Sequence, residues 1–326
     1  MLKTRLMTFA ATAAVLALTA CGSQSAAPAD SESAEAATVT IEDNNGSHTI
    51  NTPLKSVVAT DNRTFETLAA WDIKLSAAAV ALMPKTSPYK SDSSIIDLGS
   101  HNEPDLEAVV AVDPDIIVNG QRFTQYQDDF RKLAPNATVL ALDPRDGEPL
   151  DAELKRQITV LGEVFGKQAE ATKLNADFDA AVARVKAAYN KDDTVMGLIA
   201  SGGKINYSAP STGRTLGPLF DFLDLTPALE VDKASTDHKG DDISVEAIAK
   251  SNPTWMLVMD RDAAVSADDA EYKPANEVLE TSAALKNVTA TKSGNIVYMP
   301  ADTYTNEGIQ TYTEFLNSFA DALEGK

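Results

Sequence analysis

Short apolar runs alternate with amphipathic stretches along most of this chain. Residues 39–50 alternate apolar and polar positions around Asn44-Asn-Gly-Ser47, the pattern of a β-hairpin. Residues 57–60 and 75–82 read as strands, with helical spacing at Phe65, Leu68 and Ala69 between them, and residues 85–92 form a loop between Pro84 and the following segment. Tyr126, Phe130 and Leu133 predict a helix and residues 138–142 a strand, so the first part of the chain is an α/β lobe. Residues 151–189 carry two apolar stripes, Leu154-Ile158-Leu161 and Leu174-Phe178-Val182-Val185-Tyr189, separated by Gly162 and Gly166. This predicts a short helix, a break and a long helix; at about 1.5 Å per residue the second piece spans roughly 30 Å, the length of a strut between lobes. A second lobe then follows. It has a strand at 195–200, a Ser201-Gly-Gly203 turn, a small-residue loop at 207–217 opening a helix through Leu219, Phe222 and Leu223, a strand at 296–299 and a closing amphipathic helix at 309–323.

Two stretches are near copies, 139 positions apart: residues 106–122 (LEAVVAVDPDIIVNGQR) and 245–261 (VEAIAKSNPTWMLVMDR). Each predicts a short amphipathic helix, stopped by Pro114 or Pro253, then an apolar run that reads as a strand buried on both faces. Arg122 and Arg261 then fall just past the strands' carboxyl ends, where ligands bind in open α/β sheets. A unit present twice, once per half, predicts a duplicated architecture rather than a solenoid.

The 326 residues suffice for two domains with real cores, and 44% hydrophobic and 23% charged residues are ordinary for a soluble body. The N-terminus is not ordinary. Lys3 and Arg5 precede an apolar stretch at 9–19 that ends in Leu18-Thr-Ala-Cys21-Gly, the pattern of a bacterial lipobox. We expect residues 1–20 to be a lipoprotein signal peptide, Cys21 to be diacylated, and residues 21–38 to be a disordered tether on the outer face of the cell membrane. Cys21 is the single cysteine, so no internal disulfide forms. Removing residues 1–20 takes the formal charge from −20 to −22, and so acidic a body does not bind nucleic acid through its bulk field. An anionic ligand needs a local cluster of cations.

The chain resembles the cluster-III periplasmic-type binding proteins of iron–siderophore ABC importers, and within them the lipoproteins for catecholate or petrobactin-type siderophores. The landmarks are Asp61-Asn-Arg-Thr-Phe-Glu-Thr-Leu-Ala69, Glu103-Pro-Asp-Leu-Glu107, Asn119-Gly-Gln-Arg122, Thr212-Gly-Arg-Thr-Leu-Gly217, Asp237-His-Lys-Gly240 and Asp260-Arg261 followed by Pro274-Ala-Asn-Glu277. Their order around one long helix carries the likeness over nearly the whole mature body. The resemblance implies an α/β bilobal fold, with lobes at 39–165 and 191–326 joined by a helix at 166–190. It implies a non-catalytic, monomeric receptor that holds a ferric siderophore in the interlobe cleft. No intrinsic cofactor is expected, the ferric iron being carried as cargo, and the partner is a permease dimer with its cytoplasmic ATPase. It also implies that Arg122, Arg214 and Arg261 face the cleft. A ferric tris-catecholate carries about three negative charges, and guanidinium offers a fixed fork of donors that stays charged.

Relatives complete the iron coordination with a His and a Tyr, positions that fall here on His238 and Tyr304; imidazole and phenolate are competent ferric ligands. The Tyr304 stretch, Thr303-Tyr-Thr-Asn-Glu-Gly308, departs from the Trp-Tyr-Leu and glycine-rich pattern of the family, which leaves Tyr312 as a competitor. Lys85 and Tyr89 match cleft-lining positions. Glu107 and Glu246, equivalent in the two copies, match the glutamates that meet the permease, two similar anionic knobs for a two-fold partner. The same fold also serves haem, cobalamin and ferric hydroxamates. A hydrolase is disfavoured: Gly-x-Ser-x-Gly and His-Glu-x-x-His are absent from the sequence, and its histidines are only His48, His101 and His238.

Overall fold

The computed structural model describes residues 37–325, so the signal segment, Cys21 and most of the expected tether lie outside the described residues. β1 (Ala37–Asp43) and β2 (Gly46–Thr52) form the expected hairpin. Gly46 closes its turn at φ +113°, which favours glycine. The hairpin tip is tied down: Asp43 accepts from the Ala141 amide at 2.8 Å, and Asn44 donates its backbone N–H to the Ala141 carbonyl at 3.0 Å.

Two five-stranded sheets follow. The first has the order β5-β4-β3-β6-β7, all parallel: β3 (Val57–Ala59), β4 (Ala77–Ala78), β5 (Ile96–Asp97), β6 (Ile116–Asn119) and β7 (Thr138–Ala141). Its helices are α1 (Phe65–Ala70), α2 (Leu106–Val112) and α3 (Gln127–Leu133). The second sheet runs β10-β8-β11-β12 in parallel with β9 antiparallel on β8: β8 (Thr194–Ser201), β9 (Lys204–Ser208), β10 (Thr226–Pro227), β11 (Trp255–Asp260) and β12 (Ile296–Tyr298).

Between the sheets run α4 (Leu150–Phe165) and α5 (Gln168–Ala188), broken at Gly166 in the left-handed region. At sixteen residues α4 is longer than the short helix expected, because Gly162 does not interrupt it: Gly162 lets Ala171 of α5 approach, and a Cβ there would lie 2.6 Å from the Ala171 methyl. The remaining helices are α6 (Gly217–Leu223), α7 (Val245–Ser251), α8 (Arg261–Val265), α9 (Ala275–Thr281), α10 (Thr289–Ser293) and α11 (Ile309–Leu323). α11 lies along α5, so α5 is one member of a packed helix layer rather than a bare strut.

Alternation along β8 and β11 builds two cores. Val195, Ile199, Trp255, Leu257 and Met259 join the large core shared with α4, α5 and α11, whereas Met196, Leu198, Met256 and Val258 face a smaller core under α7 and α9.

Two strand expectations fail. Only Ala77 and Ala78 of residues 75–82 enter the sheet, because β3 offers a partner of three residues; the Leu82 amide then turns back to the Ala79 carbonyl and a 3-10 turn forms at Val80–Leu82. Conversely, part of the loop expected from 207 is strand β9. Gly202 and Gly203 both have positive φ and make a two-residue hairpin that folds Lys204–Ser208 back onto β8.

The repeat is structural. Asp105 and Ser244 cap α2 and α7 by accepting from Ala108 and Ala247. Asp113 and Asn252, at φ 42° and 48°, end them in the left-handed conformation that short polar residues tolerate. Each is followed by its proline and then by β6 or β11, a strand flanked on both sides in its sheet.

One buried acid gives the fold a pH signature. Asp61 is fully buried, accepting from the Arg63 amide and from Gln157, both at 2.9 Å, and burial, with Asp143 adding, pushes its pKa up to about 7. An acid raised on folding holds its proton in the native state, so its stabilising contribution is complete below the unfolded value of 3.8 and is lost as pH rises towards about 7. Asp61→Asn is expected to flatten this part of the melting-temperature profile and to melt higher than wild type above neutral pH. The Gln157 amide oxygen, which has no partner, is available to the new NH2 group. Thermal melts from about pH 4 to about pH 8 check this, and an unchanged slope would count against a protonated Asp61.

Candidate functional site

The two repeated units deliver Arg122 and Arg261 to one place. Arg122 sits in the 3-10 turn Gln121–Tyr126 directly after β6, and Arg261 is the first residue of α8 directly after β11. Gly120 makes the first turn feasible, because a Cβ there would fall 2.5 Å from the Asp61 carboxyl. Arg214 arrives on the loop between β9 and α6. Two glycines frame it: a Cβ on Gly213 would lie 2.4 Å from the Ala209 amide, and one on Gly217 would lie 2.6 Å from the Ala209 carbonyl. The Gly-Arg-x-x-Gly motif is therefore a folded loop that holds its arginine outward from a backbone only glycine allows.

All three guanidiniums converge on the ring of Tyr304, which sits in the 3-10 turn Thr303–Thr305 after β12. The guanidinium carbons lie 5.2 Å (Arg122), 5.3 Å (Arg214) and 4.7 Å (Arg261) from the ring centroid, and Arg122 also donates to the Tyr304 hydroxyl. Each contact is attractive, because a ring face is electron-rich. Three cations around one aromatic also repel each other in a half-buried cleft, so the arrangement favours an anion. His238 completes the group, its ring centred 6.1 Å from that of Tyr304. Burial, with Arg261, Arg122 and Arg214 adding, outweighs Asp237 and holds the imidazole below its usual pKa, so it is neutral near pH 7 with the lone pair of one ring nitrogen available to a metal.

The three arginines differ in their counter-charges. Arg214 forks onto Glu307, with Nε and Nη2 donating at 3.2 and 2.7 Å, and Thr215 adds a hydroxyl donor to the same carboxylate. Burial alone would raise Glu307, but Arg214, Arg63 and Thr215 hold it below the usual carboxylate range. Arg261 donates to Asp262 at 3.0 Å, and its Nε is buried without an acceptor. Among the described residues Arg122 has no carboxylate within ion-pair distance.

Cavities open on two sides. One of about 300 Å³ is lined by Asn62, Met83, Lys85, Lys90, Arg122 and Tyr304. Another, of about 650 Å³, is lined by Arg63, Gln121, Arg145, Arg214, Thr215 and Glu307 among others.

Sequence reasoning thus finds its three arginines, His238 and Tyr304 in one group. Lys85 stands at the rim, paired across the cleft with Asp268 on exposed side chains, where such a pair contributes little. Tyr89 does not line the cleft. It is buried, and its hydroxyl donates to the Ile73 carbonyl at 2.6 Å, because the 3-10 turn Pro88–Ser91 points it into the core. Tyr312 is core as well, bonded to the Thr215 carbonyl at 3.0 Å. Glu107 and Glu246 are exposed in the first turns of α2 and α7, at the other end of each repeated unit from Arg122 and Arg261. Glu307, Asp262 and Arg63 were missed. Glu307 had a signal: it stands where the Tyr304 segment departs from the glycine-rich pattern of the resemblance.

The family model described as "Periplasmic binding protein" matches residues 57–303. The petrobactin-binding protein YclQ of Bacillus subtilis is 29% identical over 325 residues, covering 97% of this chain and 98% of that protein. The ferric-anguibactin-binding protein FatB of Vibrio anguillarum is 28% identical, covering 82% and 81%. The crystal structure of YclQ superposes with a TM-score of 0.74 at 26% identity, covering 89% of this chain and all of that one. That of the catecholate-siderophore binding protein VctP of Vibrio cholerae gives 0.75 at 24% identity, covering 88% and 100%, a likeness of fold.

Proposed function

The chain belongs to the periplasmic binding protein family, and from that premise we propose that it is the solute-binding component of an ABC importer that captures an anionic ferric siderophore between its two sheets. The observation that carries this reading is the convergence of Arg122, Arg214 and Arg261 on Tyr304. A ferric complex with catecholate or mixed catecholate and carboxylate donors presents acceptor oxygens to Arg122, which has no carboxylate of its own, and to Arg261. Where the siderophore leaves iron positions open, His238 and Tyr304 supply an imidazole nitrogen and a phenolic oxygen. The similarity to a petrobactin-binding protein, YclQ, and a ferric-anguibactin-binding protein, FatB, supports this ligand class. Lys85 guards the rim. Cys21 carries the lipid that holds the receptor on the outer face of the membrane.

Glu107 and Glu246 are the two docking knobs for the permease. They occupy equivalent turns of equivalent helices, as a two-fold partner requires. Their other role, complementing the helix N-termini, is compatible with this one. The test is growth on a ferric siderophore as sole iron source in a strain lacking the protein. Wild type is expected to restore growth, and the double variant Glu107→Ala, Glu246→Ala to fail while its purified form binds the ferric siderophore within about twofold of wild type. Growth without the protein would remove the proposed function, and growth with the double variant would remove the docking role.

A further inference from the structure

The ligand's charge is legible in the carboxylates around the arginines. Glu307 lies at the mouth of α11 with 2% of its surface exposed. It engages two of the five N–H groups of Arg214 in a fork and fills its remaining valence with Thr215. Asp262, anchored by the Gly202 amide at 2.5 Å, takes Nη1 of Arg261. The group around Tyr304 is therefore three guanidiniums and two carboxylates, with one surplus positive charge on Arg122. Lys90, which lines the smaller cavity beside Arg122 and donates to the Val80, Ala81 and Met83 carbonyls, adds a second cation with no carboxylate within ion-pair distance among the described residues. Arg63, the next cation along the larger cavity, is itself paired with Asp143 at 3.4 Å. The sequence had suggested that three arginines match a trianionic tris-catecholate. Even with Lys90 counted, the structure leaves such a ligand a negative charge in excess within a half-buried site, where like charge is expensive.

We infer that Glu307 is a specificity-determining residue: by neutralising Arg214 it sets the cleft for ferric complexes of low net negative charge and against trianionic ones. This rests on the reading of the cleft as a ferric-siderophore site. Glu307 is suited to the role because it is ionised, held so by Arg214, Arg63 and Thr215 against its burial. It engages Arg214 through Nε and Nη2, and the same guanidinium carbon lies 5.3 Å from the Tyr304 ring, so its charge bears directly on the arginine group. A glycine at this point would leave Arg214 without this partner.

The test is a pair of dissociation constants measured by fluorescence titration on each of three proteins. The probes are a ferric complex of a tetradentate bis-catecholate, which is monoanionic, and one of a hexadentate tris-catecholate, which is trianionic. Wild type is expected to prefer the monoanionic complex. Glu307→Gln keeps the size and one acceptor but removes the charge, and is expected to shift the ratio of the two constants at least about tenfold towards the trianion. Glu307→Asp keeps the charge and is expected to retain the wild-type preference. A wild type that binds the trianion more than about tenfold tighter overturns the inference without any variant. So does an unchanged ratio in a folded Glu307→Gln. If wild type binds neither complex, the underlying reading of the cleft falls instead.

Discussion

Arg122→Ala is expected to weaken binding of a monoanionic ferric bis-catecholate by about 100-fold while leaving the melting temperature near that of wild type. A charge-assisted hydrogen bond contributes roughly 1.5–3 kcal/mol, and about 2.7 kcal/mol corresponds to a factor of 100. The upper end applies because Arg122 carries the surplus charge of the arginine group and leaves no carboxylate behind when it is removed. Its loss also frees the Tyr304 hydroxyl from its donor. Arg214→Ala should behave differently. It leaves Glu307 buried and unpaired, so the variant is expected to lose about 3 kcal/mol of stability, read as a lower denaturant midpoint. The contrast separates a ligand-facing arginine from one that is half structural. Equal binding by Arg122→Ala and wild type would remove the arginine from the site.

The second large effect concerns iron itself. With a tetradentate siderophore, His238→Ala and Tyr304→Phe are each expected to shift the visible absorption band of the bound complex and to weaken it at least about tenfold, one ligand's worth of affinity. With a hexadentate siderophore the same substitutions should leave the band in place, since no coordination position is open. The pH dependence has a sign. Because the folded protein holds His238 below the usual 6.5, the imidazole stays neutral as pH falls to that value, and binding through it should decline only beneath it. A band that ignores both substitutions would assign His238 and Tyr304 to packing around the arginines.

The repeat was the most legible part of the sequence because it records local chemistry. A capping residue, an apolar helix, a polar left-handed stop, a proline, a buried strand and an arginine each follow from the residues that stand there. It located Arg122 and Arg261, and the Gly213 and Gly217 frame located Arg214. Strand β4 and strand β9 were misread for opposite reasons. Alanine-rich residues 75–82 have strand-like hydropathy but a partner too short to hold them, and Lys204–Ser208 is too polar to read as a strand without following its glycine turn. Tyr89 was misplaced because a tyrosine's direction depends on the turn beneath it.

The counter-charges were the least legible feature. Glu307 is 93 positions from Arg214 and Asp262 is adjacent to Arg261, and only the folded chain tells which acid meets which base. Without them the arginine group reads as three free cations; with them it reads as one. That difference decides the charge of the ligand.

The central claim is that the arginine-lined cleft binds an anionic ferric siderophore. Its most direct test is a titration of the purified mature protein, followed by tryptophan fluorescence, with the ferric bis-catecholate, the same ligand without iron, and a neutral ferric hydroxamate. We predict saturable one-to-one quenching by the ferric catecholate with a Kd below about 1 μM, and at least about 100-fold weaker binding of the other two. Equal binding of the neutral hydroxamate, or no saturable response to the ferric catecholate, would contradict it.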